Sequence, residues 1–226
     1  VGDRVYTMGG QGIVVCTDFA TGKTLWKVDT QKSYRASDGF FGMACSPLIV
    51  GDYVYVQAGA GFCKVAKRTG EIVWRVAQDK GGMYGSAFSS PLKTRLAGKE
   101  VFLVQTRVAL NVIDLQTGNI DCTVPIKAFR GMNILTPLVH EGSVFTSAYG
   151  GRSHMFNAAL QSGKVALTEA WNVKHQGYMS SPIVVDGVAY HHLRNQRLIA
   201  LDLATGKDLW DVSNRFGKYW SMAVNG

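Results

Sequence analysis

The segment "LIALDLATGKDLW" (residues 198–210) combines an apolar run, an acidic residue, a Thr-Gly-Lys turn and a tryptophan four residues after the glycine. Nearly the same phrase, "VVCTDFATGKTLW", occupies residues 14–26. An aspartate in this position can accept hydrogen bonds from turn amides, and the glycine can adopt the positive φ of a tight hairpin. The phrase therefore predicts two antiparallel strands joined by a short turn.

The phrase recurs five times along the 226 residues. Its turn glycines are separated by 48, 48, 45 and 43 residues and are Gly22, Gly70, Gly118, Gly163 and Gly206. Four copies carry a tryptophan: Trp26, Trp74, Trp171 and Trp210. Cys122 replaces it in the third copy, and Trp171 is displaced by four residues, as an extended turn or strand would displace it. Recurrence at this period indicates a repeat architecture.

A second landmark recurs out of phase with the first. Its copies are Ser46-Pro47, Ser90-Pro91, Thr136-Pro137, Ser181-Pro182 and the degenerate Ser221-Met222. A short apolar strand, a turn and an alternating strand follow each copy, which gives four strands per period. Four-stranded repeats of this length are typical of β-propeller blades. We predict an all-β propeller domain over residues 1–226, with antiparallel blades at roughly 1–45, 46–89, 90–135, 136–180 and 181–226.

The tryptophans keep a fixed phase with the turns, which favours packing between blades over ligand stacking. The predicted structural docking residues are Asp18, Gly22, Trp26, Gly70, Trp74, Asp114, Gly118, Trp171, Asp202, Gly206 and Trp210.

The pattern Ala200-x-Asp202-xxx-Gly206-xxx-Trp210 resembles the tryptophan-docking motif of PQQ-like β-propeller repeats. The segment "GFFGMACSPLIVGDYVYVQAGAG" (39–61) resembles BamB-like and quinoprotein alcohol dehydrogenase-like propellers. The resemblance implies an exported, periplasmic or otherwise extracytoplasmic protein with seven or eight blades, of which this segment supplies five and carries no signal peptide. Alternatively, residues 219–224 complete the first blade and close a ring of five. Open blade edges would favour self-association.

The resemblance also raises the question of a cofactor. The family's enzymes hold PQQ with Ca²⁺, often beside two adjacent cysteines, and Ca²⁺ takes six to eight oxygen ligands. Most of the sixteen acidic residues lie in predicted turns, which leaves Asp38 and Asp79 as candidates. The cysteines contain no adjacent pair: Cys16, Cys45, Cys63 and Cys122. We therefore expect no cofactor and no catalytic or metal-binding residue, with PQQ and calcium as the alternative.

Another periodic feature predicts a contact surface. Before each inner strand, a glycine adjoins methionine or an aromatic residue, and the links there should gather at one mouth of the central channel. The candidate contacts are Phe41, Met43, Met83, Tyr84, Arg130, Met132, Tyr178, Met179, Tyr219 and Trp220. Such clusters form adaptable contact surfaces, although they can also plug the channel or pack between blades. A positive rim is predicted from Lys32, Arg35, Lys80, Arg130, His175 and Lys218.

These patterns favour a non-enzymatic scaffold that binds a protein or peptide through its axial face. The first alternative is a PQQ-dependent dehydrogenase acting on an alcohol or sugar, and the second is a sugar- or polyanion-binding surface. The net charge of +8 is dispersed, with no run longer than Lys67-Arg68, so no nucleic-acid partner is expected. No apolar run reaches the length of a membrane-spanning helix.

Overall fold

The chain folds into five antiparallel β-sheets that follow one another along the sequence. The structure, a computed structural model, describes residues 1–37, 39–79 and 88–217. In each sheet the strand order is the chain order, because tight turns join neighbouring antiparallel strands. The predicted all-β fold of four-stranded blades is confirmed. The described part of blade 1 has three strands, and the segment 219–224 that was expected to complete it lies outside the described residues.

The blades have the following elements. Blade 1 contains β1 (Arg4–Met8), β2 (Ile13–Asp18) and β3 (Thr24–Asp29), followed by helix α1 (Thr30–Tyr34). Blade 2 contains β4 (Leu48–Val50), β5 (Tyr53–Gln57), β6 (Phe62–Ala66) and β7 (Ile72–Val76). Blade 3 contains β8 (Leu92–Leu96), β9 (Lys99–Gln105), β10 (Ala109–Asp114) and β11 (Ile120–Pro125).

A 3-10 turn (Phe129–Gly131) precedes the fourth blade. Blade 4 contains β12 (Leu138–His140), β13 (Ser143–Ser147), β14 (Ser153–Gln161) and β15 (Lys164–Val173). Blade 5 contains β16 (Ile183–Val185), β17 (Val188–His192), β18 (Leu198–Asp202) and β19 (Asp208–Asp211). Within the described ranges, no helix is long and apolar enough to cross a bilayer.

The hydrophobic core is divided among four interfaces, one between each pair of consecutive blades. Between blades 2 and 3, for example, Tyr55, Phe62 and Trp74 pack against Phe102, and the Tyr55 and Phe102 ring centroids are 4.4 Å apart. Phe62 and Phe102 are fully buried, and burial of such a side chain contributes about 1.5–3 kcal/mol. Each blade is therefore stabilised mainly by its neighbours.

Three of the tryptophans lie against the turn glycine of the next blade. The pairs are Trp26 with Gly70, Trp74 with Gly118 and Trp171 with Gly206. The indole N–H of Trp26 donates to the carbonyl of Lys67 at 3.1 Å, and that of Trp171 donates to the carbonyl of Leu203 at 3.0 Å. Both acceptors are three residues before the glycine, so the contact combines ring stacking with a hydrogen bond of fixed register.

The aspartate of the phrase organises the turn that receives the indole. Asp18 accepts a hydrogen bond from the Thr21 amide at 2.8 Å, and Asp202 accepts one from the Thr205 amide at 2.8 Å. Hydrogen bonds from the hydroxyl and amide of Thr21 lower the pKa of Asp18, and those from the amide and hydroxyl of Thr205 lower the pKa of Asp202. The conformation of the turn is thereby stabilised by contacts within its own blade.

Trp171 occupies the same register as the other tryptophans despite its displacement in sequence. It pairs with Met155 in the sheet, as Trp26 pairs with Cys16 and Trp210 pairs with Ala200. The extra residues lengthen the hairpin, because β14 and β15 have 9 and 10 residues. The longer hairpin extends beyond the usual turn position and packs against blade 3, where Val165 joins the core.

An ion cluster is present where blade 3 lacks its tryptophan. The Lys99 ammonium contacts Asp114 at 2.8 Å and Asp121 at 2.7 Å, and it donates to the carbonyl of Gly163 at 3.1 Å. Asp121 also accepts from the amide of Val165 at 2.9 Å. Burial by itself would raise the pKa of Asp114, but the Lys99 and Thr117 hydrogen bonds lower it to about 2. The cluster fastens the long hairpin of blade 4 to blade 3.

The docking contact can be tested with two turn glycines of nearly equal φ, +78° at Gly70 and +77° at Gly163. A Cβ on Gly70 would lie 2.7 Å from the Trp26 ring, whereas one on Gly163 would meet nothing within 4 Å. Gly163→Ala should cost about 1–2 kcal/mol through backbone strain alone. Gly70→Ala should cost about 1–3 kcal/mol more through overpacking. Urea unfolding of the full-length protein measures both, and equal losses would contradict the docking role.

The ion cluster can be tested by replacing Lys99. Lys99→Met leaves Asp114 and Asp121 without their cation, and it should lower the free energy of unfolding by about 3 kcal/mol. Lys93→Met is the matched control, because Lys93 forms an exposed pair with Glu100 that is worth less than about 1 kcal/mol.

The pH dependence gives a second check on the same variant. A carboxyl whose folded pKa is depressed contributes stability above its unfolded pKa of about 3.9 and loses it as the pH falls toward about 2. The difference in unfolding free energy between the native protein and Lys99→Met should therefore shrink across that window. A difference that stays constant from pH 7 to pH 3 would exclude the ionised Asp114 as its source.

Candidate functional site

Antiparallel order places two sets of connections at opposite ends of the blades. The docking turns lie at one end, which we call the turn end. The links from the last strand of one blade to the first strand of the next lie at the other end, together with the loops between second and third strands. We call this the link end. Backbone hydrogen bonds join the links to the loops. The amide of Phe129 donates to the carbonyl of Tyr149 at 2.7 Å, and the amide of Arg194 donates to the carbonyl of Gln176 at 2.8 Å.

At the link end of blades 4 and 5, three aromatic rings and two arginines contact one another. We call this set the aromatic–arginine ladder, and its members are Phe129, Arg130, Tyr149, Tyr178 and Arg194. The ring centroids of Phe129 and Tyr149 are 5.7 Å apart, and those of Tyr149 and Tyr178 are 5.1 Å apart. The Arg130 guanidinium lies 5.0 Å from the Phe129 ring, and that of Arg194 lies 4.7 Å from the Tyr149 ring. Phe129 remains 47% exposed.

Backbone geometry holds the ladder in place. Arg130 adopts a φ of 54° inside the 3-10 turn, and its guanidinium lies over the Phe129 ring. Gly150, with φ of 70°, allows the loop of blade 4 to approach Phe129 closely, because a Cβ there would lie 2.5 Å from the Phe129 Cβ. The two segments therefore support each other without burying their outward surfaces.

A pocket of about 330 Å³ adjoins the ladder between the link of blades 4 and 5 and the loop of blade 5. Its lining consists of Lys174, His175, Gln176, Leu193, Arg194 and Asn195. The Arg194 guanidinium donates to the side-chain carbonyl of Gln176 at 3.1 Å, and His175 hydrogen-bonds Asp208 at 2.7 Å. Five of the six lining residues have polar side chains, and several of these are hydrogen-bond donors.

The surroundings of the ladder are strongly basic. The four segments that build it and the pocket are 126–137, 148–152, 174–182 and 193–197. They contain no acidic residue and six basic ones: Lys127, Arg130, Arg152, Lys174, Arg194 and Arg197. The positive rim anticipated from sequence is supported here by Arg130. Lys32 and Arg35 are exposed beside blade 1, whereas Lys80 and Lys218 lie outside the described residues.

The predicted contact residues are divided between surface and core. Phe41 is 55% exposed and packs edge-on against Phe40, and Met179 is 46% exposed. Met132 is half-buried, as is Tyr178 within the ladder. Met83, Tyr84, Tyr219 and Trp220 lie outside the described residues.

Met43 requires a correction as a candidate contact. It is 6% exposed and packs in the interface of blades 1 and 2, where the Gly12 backbone leaves room for its sulfur. For this residue the alternative of packing between blades holds.

Sequence reasoning missed three members of the ladder: Phe129, Tyr149 and Arg194. Phe129 adjoins the periodic "RGM" segment and carried a usable signal. Tyr149 and Arg194 lie in loops between second and third strands, which the periodic feature did not include. Their proximity to the link depends on how consecutive blades pack.

The adjacent histidines belong to a blade interface. His191 occupies the register of Val56 and Val104 in blades 2 and 3 and is completely buried, edge-on to Phe145 with centroids 5.9 Å apart. Neither of its ring nitrogens has a hydrogen-bond partner in the described part of the chain. Burial lowers the pKa of His191 to about 3, so the ring is neutral at ordinary pH. It is therefore a packing residue.

The described residues do not assemble the donor set for a PQQ–calcium pair. Among them, no three His, Cys, Asp or Glu side chains cluster as a metal site. Asp79 forms an ion pair with Arg107 at 3.3 Å, and Asp38 lies outside the described ranges. All four cysteines are free thiols, and burial raises the pKa of Cys45 and Cys63 to about 12. We derive no redox step from these residues.

Comparison with known proteins gives consistent matches. The model of the family described as outer membrane protein assembly factor BamB matches residues 1–212. The outer membrane protein assembly factor BamB of Yersinia pestis is 25% identical over 92% of this chain and 54% of its own length. The crystal structure of BamB from Moraxella catarrhalis aligns with a TM-score of 0.70 at 19% identity, covering 95% of this chain and 62% of that one.

A quinoprotein shares the same architecture. Quinohemoprotein alcohol dehydrogenase from Comamonas testosteroni aligns with a TM-score of 0.63 at 13% identity, covering 93% of this chain and 41% of that one. At such identities the structural likeness shows the propeller fold alone. The chain spans about half the length of the curated relative, 54%. Because the family model covers residues 1–212, the chain belongs to the family described as outer membrane protein assembly factor BamB, whose members are PQQ-like β-propellers.

Proposed function

We propose that this protein is a non-enzymatic propeller scaffold that binds a protein partner through its link end, outside the cytoplasm, during the assembly of outer membrane proteins. Membership of the family described as outer membrane protein assembly factor BamB supports a role in this assembly process. The aromatic–arginine ladder is the observation that supports the link end as the binding surface. It places rings and guanidinium groups in mutual contact on an exposed end of two blades.

The chemistry of the ladder suits protein recognition. Tyrosine and arginine are enriched among residues that dominate binding energy at interfaces, and rigid aromatic side chains lose little conformational entropy on binding. Contacts within the ladder already restrict the side chains of Tyr149 and Arg194. A partner therefore meets a surface that is largely organised before binding.

The runner-up function is a quinoprotein dehydrogenase of alcohols or sugars. The shared architecture with the Comamonas testosteroni enzyme favours it. The ion pair of Asp79 with Arg107 and the absence of a metal-ligand cluster among the described residues do not.

Complementation in the source bacterium tests the scaffold proposal. Deletion of the gene should lower the amounts of outer membrane β-barrel proteins, and the intact gene should restore them. The double variant Tyr149→Ala/Tyr178→Ala should bind the partner about tenfold or more weakly. It should therefore restore the outer membrane β-barrel proteins poorly. Leu160→Ala is the control, because Leu160 is exposed at the opposite end of the same blade. Quantitative immunoblots of outer membranes measure the outcome. Full rescue by the folded double variant would refute the proposal that the ladder binds the partner.

A redox assay separates the runner-up. Purified protein mixed with PQQ and Ca²⁺ should reduce no dye in the presence of alcohols or sugars. Turnover that depends on PQQ would overturn the non-enzymatic assignment, whatever the rescue experiment shows.

A further inference from the structure

We infer that the pocket beside the ladder receives a carboxylate side chain of an extended, acidic and aromatic segment of the protein partner. This inference rests on the proposed function, because it names the chemistry of the partner at the same surface. Three features of the described residues support it: the size of the pocket, the fixed position of Arg194 and the charge of the surrounding segments.

The pocket is large enough to receive a side chain. Its volume of about 330 Å³ is near the lower end of the range for small-molecule sites, about 300–1,000 Å³. The lining is polar except for Leu193, and it opens beside the ladder through Arg194. A segment lying across the ladder can therefore place one side chain in the pocket.

Arg194 is held ready for a carboxylate. Its guanidinium lies over the Tyr149 ring and donates to Gln176, while its backbone amide is fixed by the carbonyl of Gln176. A guanidinium presents donors in a planar fork that matches the two oxygens of a carboxylate. Because the stacking orders the side chain before binding, less conformational entropy is lost when the pair forms.

Charge complementarity selects an acidic partner over a basic one. The four segments around the pocket carry six Lys or Arg residues and no Asp or Glu. Three carboxylates face their edges: Asp208 contacts His175 at 2.7 Å, Asp211 contacts Arg197 at 3.3 Å, and Glu169 interacts electrostatically with Arg152. Lys174 and Arg194 line the pocket itself. A basic segment would be repelled there, which gives specificity.

The aromatic requirement follows from the neighbouring rings. Tyr178 and Tyr149 are 5.1 Å apart, with planes inclined by 37°, and Met179 beside them is exposed. An incoming ring can pack against these groups while an acidic side chain two residues away enters the pocket. In an extended segment alternate side chains share a face, so one residue between them would point away.

Fluorescence anisotropy with synthetic peptides tests the inference on the full-length protein. The probe is a short labelled peptide that repeats Glu-Ser-Tyr-Ser, so that Glu and Tyr alternate along one face, and its counterparts carry Lys in place of Glu or Ser in place of Tyr. The Glu–Tyr peptide should bind most tightly, and its affinity should fall as salt is raised. Arg194→Gln should weaken it about tenfold, and Lys174→Gln about threefold. Lys164→Gln is the control, because Lys164 is exposed at the turn end of blade 4, and it should change the affinity less than about twofold.

Equal affinity for the Lys–Tyr peptide, or a native affinity in folded Arg194→Gln, would overturn the inference. If the peptide with Ser in place of Tyr bound as tightly as the Glu–Tyr peptide, the partner segment would not need an aromatic residue. Tighter binding of heparin that persists in Tyr178→Ala would replace the peptide with a polyanion. These outcomes leave the proposed function standing if Tyr149→Ala/Tyr178→Ala still fails to rescue outer membrane proteins.

Discussion

The contact between an indole and the turn glycine of the next blade is the constraint on which the rest of the structure depends. One sheet cannot bury both of its faces, so each blade needs a neighbour in a defined position. Three tryptophans fix that position: Trp26, Trp74 and Trp171. Each ring occupies the space that a Cβ on the turn glycine of the next blade would take. The indole hydrogen bonds to Lys67 and Leu203 then set the register, which dispersion forces alone would leave loose.

The interface of blades 3 and 4 shows that the same requirement can be met by different chemistry. Cys122 stands where the indole would be, and the glycine of the next turn, Gly163, receives no ring. The long hairpin of blade 4 covers the site instead, and Lys99 binds it through Asp121 and the carbonyl of Gly163. Ion pairs and hydrogen bonds of Lys99 thus replace the indole contact, with the register again specified.

Docking at the turn end leaves the link end available for recognition. The turns there need glycine and aspartate for backbone geometry, which restricts what they can present. The links and loops at the opposite end also use glycine, as at Gly150, but their other positions carry the rings and cations of the ladder. Separating stability from recognition in this way is common in folds where a rigid scaffold positions variable loops.

The sequence by itself determined the four-stranded repeat and the positions of the turns. These features follow from local alternation, turn glycines and a constant phase, all of which lie within one period. Only the tertiary structure decided which loop residues meet, because Phe129, Tyr149, Tyr178 and Arg194 belong to four separate segments. It also buried Met43 and paired Lys99 with Asp121. Both depend on how one sheet is placed on the next, and no pattern within a single repeat specifies that placement.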